Sequence, residues 1–104
     1  MTTRNLPPHW REESNALVRE FATGGWPVTL MLVNAIGFVA EAADHHPDLE
    51  VSWGRVRVRL STHDAGGVTD KDVALAHEIE RVALWRPPEG SPLAGTKSKF
   101  VRGA

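Results

Sequence analysis

Apolar residues at Val28, Met31, Leu32, Ala35, Ile36 and Val39 recur at i, i+3, i+4, i+7, i+8 and i+11, which predicts a helix with one buried face. Pro27 suits its first turn, where no N–H is needed, and Gly24-Gly25 marks the turn before it. Pro47 disfavours helical geometry for the residue before it, so the helix is expected to end near Asp44.

In "RVRVRLST" the pattern changes period: Arg55, Arg57 and Arg59 alternate with Val56, Val58 and Leu60, as in a strand with one buried face and its arginines in solvent. "LEVSW" reads as its antiparallel partner, with Gly54 in a tight connection or, alternatively, a bulge. "TDKDVALAHEIERVALW" predicts a second helix. Thr69 is its N-cap, Asp70 and Asp72 sit in its first turn, and Leu75, Ala76, Ile79, Val82 and Ala83 form a stripe facing the sheet. Upstream, "HWREE" and "NALVREFAT" predict two short strands joined around Ser14-Asn15.

The order β-β-α-β-β-α defines an α+β fold, a four-stranded antiparallel sheet with two to three helices packed on one face. Residues 1–86 form the domain. Residues 87–104, rich in Pro, Gly, Ser and Lys and without apolar periodicity, read as an extended or disordered C-terminal tail.

At 104 residues there is room for one core. A net charge of -1 gives no bulk attraction to nucleic acid or anionic membrane, and no direct nucleic-acid binding is expected. The run "VTLMLVNAIGFVAEAA" is broken by Asn34 and closes on Glu41, which predicts a segment too short and too polar to span a bilayer. The absence of cysteine and of a visible signal peptide fits a cytoplasmic protein.

Chemistry concentrates in "EAADHHPDLEVSW", where four carboxylates and two of the five histidines surround one proline. Three readings apply. The bland one is a solvated helix-to-strand junction. A metal site would draw on His45, His46, His63, Asp44 and Asp72, but adjacent residues point apart in extended backbone and no HExxH or HxH spacing is present. The third is acid–base catalysis, since histidine both gives and takes protons near neutrality. His63 ends a predicted strand and Asp72 begins a predicted helix, so both can converge on the junction, although a first-turn carboxylate also stabilises a helix whatever else it does. Trp10 and Trp53 are either core residues or walls for a flat ligand.

Glu41-x-x-x-His45-His46-Pro47, then Trp53, then "STH" ending in His63, then Asp72, resembles the signature of the pterin-4a-carbinolamine dehydratase family. "LPPHW" and "DVALAHEIE" extend the similarity over most of residues 6–85. The resemblance implies the same α+β fold and dehydration of 4a-hydroxytetrahydropterin to quinonoid dihydropterin, with no metal and no cofactor. It implies His45 and His63 as the acid–base pair, His46 as the residue holding the pterin, Asp72 as the group orienting a histidine, and Glu41 near the ring. Asp44, Pro47, Trp53, Ser61, Thr62 and Trp10 complete the implied substrate pocket. It further implies a homo-oligomer, dimer or tetramer. Family members that act through protein contacts, a transcription coactivator and carboxysomal relatives assisting Rubisco assembly, supply the alternative of a protein partner. The chain departs from the family in its short N-terminus, in "FATGGWPVTLM", and in Leu49 where some relatives carry an aromatic.

Overall fold

The computed structural model describes residues 4–93, 95 and 100–103. Strands β1 (Arg11–Glu13) and β2 (Ala16–Ala22) are joined by Ser14 and Asn15, both at positive φ (50° and 63°), the backbone of a two-residue hairpin turn. Helix α1 (Trp26–Ala43) follows, then β3 (Asp48–Ser52) and β4 (Arg55–Leu60), separated only by Trp53 and Gly54. A short 3₁₀ turn (His63–Ala65) precedes helix α2 (Asp70–Ala83). The four strands pair antiparallel in the order β1-β2-β4-β3, and the fold is the expected α+β arrangement.

Register decides what each sheet face carries. Leu17 pairs with Leu60, Arg19 with Val58 and Phe21 with Val56, and these side chains lie under the helices with Leu32, Ile36, Leu75 and Ile79. On the other face Arg57 meets Glu13 at 3.1 Å and Glu50 at 3.0 Å, and Arg55 meets Glu20 at 3.4 Å. The arginine alternation of β4 therefore faces outward, where cross-strand carboxylates neutralise it.

Arg19 breaks the alternation. It lies on the core face, buried, with its guanidinium 4.1 Å above the Phe21 ring and both carboxylate oxygens of Glu80 at 3.0 Å. The indole N–H of Trp10 also donates to Glu80, at 2.7 Å. Burying this carboxylate is tolerable because three donors, two from Arg19 on β2 and one from Trp10 in the segment before β1, satisfy it.

Helix α1 buries Thr29, Leu32, Ile36 and Ala40, a stripe displaced from the expected one: Met31 is 56% exposed and Thr29 fully buried. The Thr29 hydroxyl donates to the carbonyl of Gly25 at 2.8 Å and lies 2.8 Å from that of Trp53, so a polar side chain tethers the helix start to the β3–β4 turn. Contrary to the expectation from Asn34 and Glu41, the helix is long and apolar enough by length and composition to cross a membrane, with mean hydropathy 1.4 over 18 residues. Its contacts with α2, β3 and β4 make it part of the domain.

Beyond α2 the chain carries no further helix or strand among the described residues. Val101 is nonetheless buried in the core, bridges Thr23, and is followed by Arg102, whose N–H donates to the Ala22 carbonyl at 2.8 Å.

Candidate active site

The end of α1 sets the site. Asp44 takes a left-handed conformation (φ 51°), its N–H bonded to the Glu41 carbonyl, while the N–H of His45 reaches back to the Ala40 carbonyl at 3.1 Å. This pair of bonds closes the helix as a Schellman turn, normally built on glycine. It throws His45 toward the start of α2 and leaves His46 on the outside. Asp44 thus serves the site through its backbone, and Pro47 leads directly into β3.

The start of α2 supplies the partner. Thr69 and Asp72 form a reciprocal capping box: the Asp72 carboxylate accepts from the Thr69 N–H at 2.9 Å, and the Thr69 hydroxyl oxygen receives the N–H of Lys71 at 3.3 Å. The same carboxylate is fully buried and accepts two more hydrogen bonds, Oδ2 from the Thr62 hydroxyl at 2.8 Å and Oδ1 from Nε2 of His45 at 2.6 Å. Burial pushes the Asp72 carboxyl up, but the bonds from His45, the Thr69 N–H and Thr62 outweigh it and hold the group below its ordinary value. Asp72 is therefore a carboxylate that only accepts. The proton of the neutral His45 ring must sit on Nε2, which leaves Nδ1 as its accepting atom.

The loop between β4 and α2 is closed by Thr62, whose N–H donates to the Gly67 carbonyl at 2.9 Å and whose carbonyl receives the N–H groups of Ala65 and Gly67. Gly66, at φ 69°, permits the return. His63 stands exposed at the head of this loop, one residue from the Asp72 network, with Ser61 half-buried on the other side. His46 is also exposed, and its Nε2 donates to Glu41 at 2.8 Å. Asp72 is thus in direct contact with both His45 and Thr62, and His46 with Glu41 flanks them at the end of α1.

The two tryptophans are elsewhere. Trp10 is buried in the core with its N–H spent on Glu80. Trp53 lies beside Gly25 at the start of α1, about 27 Å from His45 by the rise of an 18-residue helix. Within one chain neither reaches the His45–Asp72 pair. Thr69, by contrast, belongs to the network and was legible only as a helix cap. A groove of about 530 Å³ opens beside His45 between the helices, lined by Phe38, Val39, Ala42, Lys71 and Leu75. Among the described residues no group of three or more His, Asp or Glu side chains is arranged to hold a metal ion.

The sequence model of the pterin 4 alpha carbinolamine dehydratase family matches residues 1–82. A protein of Chloroflexus aurantiacus, provisionally named pterin-4-alpha-carbinolamine dehydratase, is 47% identical over 75 residues, 72% of this chain and 81% of its own length. One of the same provisional name from Aquifex aeolicus is 47% identical over 73 residues, 70% of this chain and 74% of its own. Among solved structures, a transcriptional coactivator/pterin dehydratase from Brucella melitensis superposes with a TM-score of 0.70 at 28% identity, covering 73% of this chain and 83% of that one. A pterin dehydratase-like protein identified as a RuBisCO assembly factor in the alpha-carboxysome, 22% identical with a TM-score of 0.61 over 71% of this chain and 88% of its own, shares the fold. With four-fifths of its length inside the family model and nearly half its aligned residues identical to these relatives, the chain belongs to the pterin 4 alpha carbinolamine dehydratase family.

Proposed function

We propose that the protein is a dehydratase acting on 4a-hydroxytetrahydropterin, releasing water and quinonoid dihydropterin by histidine acid–base chemistry. The observation that carries this reading is the 2.6 Å bond from His45 Nε2 to the buried Asp72 carboxylate, which leaves Nδ1 free to accept a proton. His45 takes the N5 proton through Nδ1. The N5 electron pair forms the N5=C4a bond, the C4a–O bond breaks, and the departing oxygen receives a proton from His63, so that one water leaves and no electrons are exchanged with any other group. His46, paired with Glu41 at the rim, holds the pterin. No step assigns work to a metal or cofactor. Activity in excess chelator at the parent rate is therefore expected, and loss of activity restored by zinc would overturn that assignment.

The decisive assay follows carbinolamine dehydration by the purified protein, with the slow uncatalysed reaction subtracted. Acceleration above background supports the reading, and a folded protein that adds nothing to the background sinks it.

A second reading, a protein-binding member of the family, is favoured by one observation: Trp26, Leu30, Met31 and Phe38 on α1 are between 40% and 75% exposed. Such a face suits a protein contact, with a homo-oligomer, dimer or tetramer, as the first partner to test by light scattering. A cysteine-free chain suits a reducing compartment such as the cytoplasm.

A further inference from the structure

Thr62 is flanked by groups that leave it little freedom. Its hydroxyl lies 2.8 Å from Asp72 Oδ2 and 2.8 Å from the hydroxyl of Thr69. A hydroxyl has one proton to give, and an ionised carboxylate can only accept, so the Thr62 proton points at Asp72. The Thr62 oxygen must then accept the proton of Thr69, and Thr69 turns its remaining lone pairs to the N–H of Lys71. The direction of the chain is fixed: Thr69 O–H to Thr62 O–H to Asp72 Oδ2, with His45 N–H on Oδ1. The N–H of Thr62 is already bonded to Gly67. Thr62 therefore has no donor left for a substrate.

From this arrangement we infer that Thr62 is a positioning residue, which acts on the reaction only through Asp72: with Thr69 behind it, it holds the carboxylate so that Oδ1 faces His45 and the ring presents Nδ1. This rests on the dehydratase reading for its kinetic consequence and is independent of that reading for its structural one. Asp72 has two oxygens and two fixed neighbours on Oδ2, Thr62 and the Thr69 N–H. Removing the Thr62 hydroxyl leaves the carboxylate pinned at one point on that side, free to turn about it, and leaves the Thr69 proton without its acceptor. The other charged or titratable groups around the pair are Lys71, Glu78 and Arg81, which line the adjoining groove, Glu41 and His46 at the end of α1, and His63 and Asp64 in the loop.

The test compares Thr62→Val, which keeps the shape and removes the hydroxyl, with Thr62→Ser, which keeps the hydroxyl. Thr62→Val is expected to lower kcat about tenfold to a hundredfold, the usual cost of removing an orienting partner of a functional histidine, with KM within about twofold. Thr62→Ser is expected to restore most of the parent kcat. A rise in KM at unchanged kcat would show that Thr62 touches the substrate instead, and equal damage from Ser and Val would show that its methyl rather than its hydroxyl matters; either result overturns the inference. Ring ¹⁵N shifts of His45 supply the readout that needs neither activity nor a folded variant. In the parent the neutral ring is expected as the Nε2–H tautomer, with a slowly exchanging Thr62 hydroxyl proton, and an Nδ1–H tautomer or a fast-exchanging hydroxyl proton refutes the relay. Should the parent lack dehydratase activity while these signals are present, the functional reading fails and the relay stands.

Discussion

His45 and Asp72 stand 27 residues apart in the chain and 2.6 Å apart in space, the histidine just past the end of one helix and the aspartate in the first turn of the next. Neither position is adjustable alone. The Schellman turn at Asp44 sets the direction of His45, and the capping box with Thr69 sets that of Asp72. A carboxylate already recruited to begin a helix is in this way also the acceptor that chooses a histidine tautomer.

Replacing Asp72 by Asn keeps the shape but offers an amide that can present N–H₂ to His45 and favour the wrong tautomer. Under the dehydratase reading Asp72→Asn should lower kcat by about 10²- to 10⁴-fold, the range spanned by a mispositioned acid or base. Circular dichroism should remain that of the parent. A kcat within about threefold of the parent counts against the tautomer argument.

Stability should depend on the same carboxylate. Because the folded protein holds the Asp72 carboxyl below its ordinary value of 3.8, it binds that proton less readily than the unfolded chain does. The stabilising contribution is complete above pH 3.8 and is lost as pH falls through the lower folded value. Glu13 is also lowered, chiefly by its bond to Arg11, but it is exposed and screened and adds little. Urea midpoints measured through this acid range should fall in the parent and fall less steeply in Asp72→Asn. Parallel curves for the two proteins would disprove the assignment.

The remaining histidines separate by role. His63→Ala should lower kcat by about 10²- to 10⁴-fold if His63 delivers the proton to the leaving oxygen. His46→Ala should mainly raise KM, since the role proposed for it is to hold the pterin equally before and during reaction. His77 is the control: it sits on the exposed side of α2 with Nε2 2.8 Å from the Asn5 carbonyl, and His77→Ala should leave both constants near the parent values. A parent-like kcat in His63→Ala would move the acid elsewhere and favour the protein-binding reading.

Glu80 carries a different kind of consequence. Its carboxylate holds Arg19 and the Trp10 indole in the core, so Glu80→Ala strands a buried guanidinium and a buried N–H together. A loss of about 3–5 kcal/mol is expected, measurable by denaturant titration. A loss under about 1 kcal/mol would show that water or a rearranged neighbour satisfies Arg19.

Much of this was readable in the chain because local rules and tertiary packing agree. The alternation of Arg55 to Leu60 set both faces of β4, and Ser14-Asn15 and Trp53-Gly54 set both hairpins. The buried face of α1 was readable only in part: Leu32 and Ile36 are buried as expected, but the helix is apolar on nearly every side, so periodicity could not choose between Met31 and Thr29, and only tertiary bonds to Gly25 and Trp53 drew the threonine inward. The site was readable as a motif, and Asp72 as a cap. That Thr62 and Thr69 share its second oxygen was not, since they stand seven positions apart along the connection to α2 and only the Thr62–Gly67 closure brings them together. Arg19 and Glu80 were hidden for the same reason: each is charged, and only the tertiary fold brings them together, with Phe21 against Arg19 and Trp10 on Glu80.

The C-terminal segment gives the last prediction. Composition marks residues 87–104 as an extended or disordered tail, yet among its described residues Val101 is only 5% exposed and packs in the core beside half-buried Phe100. Phe100 and Val101 are adjacent in the chain, with Leu93 the nearest other large apolar residue, and so scattered a set gives no periodicity to read. Val101 bridges Thr23 at the end of β2, next to the β3–β4 turn, so its contacts lie at the start of α1 while His45 lies past its end. Val101→Ala removes the equivalent of two methylenes, about 1.6 kcal/mol at roughly 0.8 each. For a domain of this size that lowers Tm by about 6–12 °C. Because the substitution acts on the fold at a helix length from the histidines, kcat and KM measured well below the new Tm should match the parent. Unchanged Tm would show that the segment does not anchor in solution, and a selective loss of kcat at unchanged Tm would tie the tail to the active site.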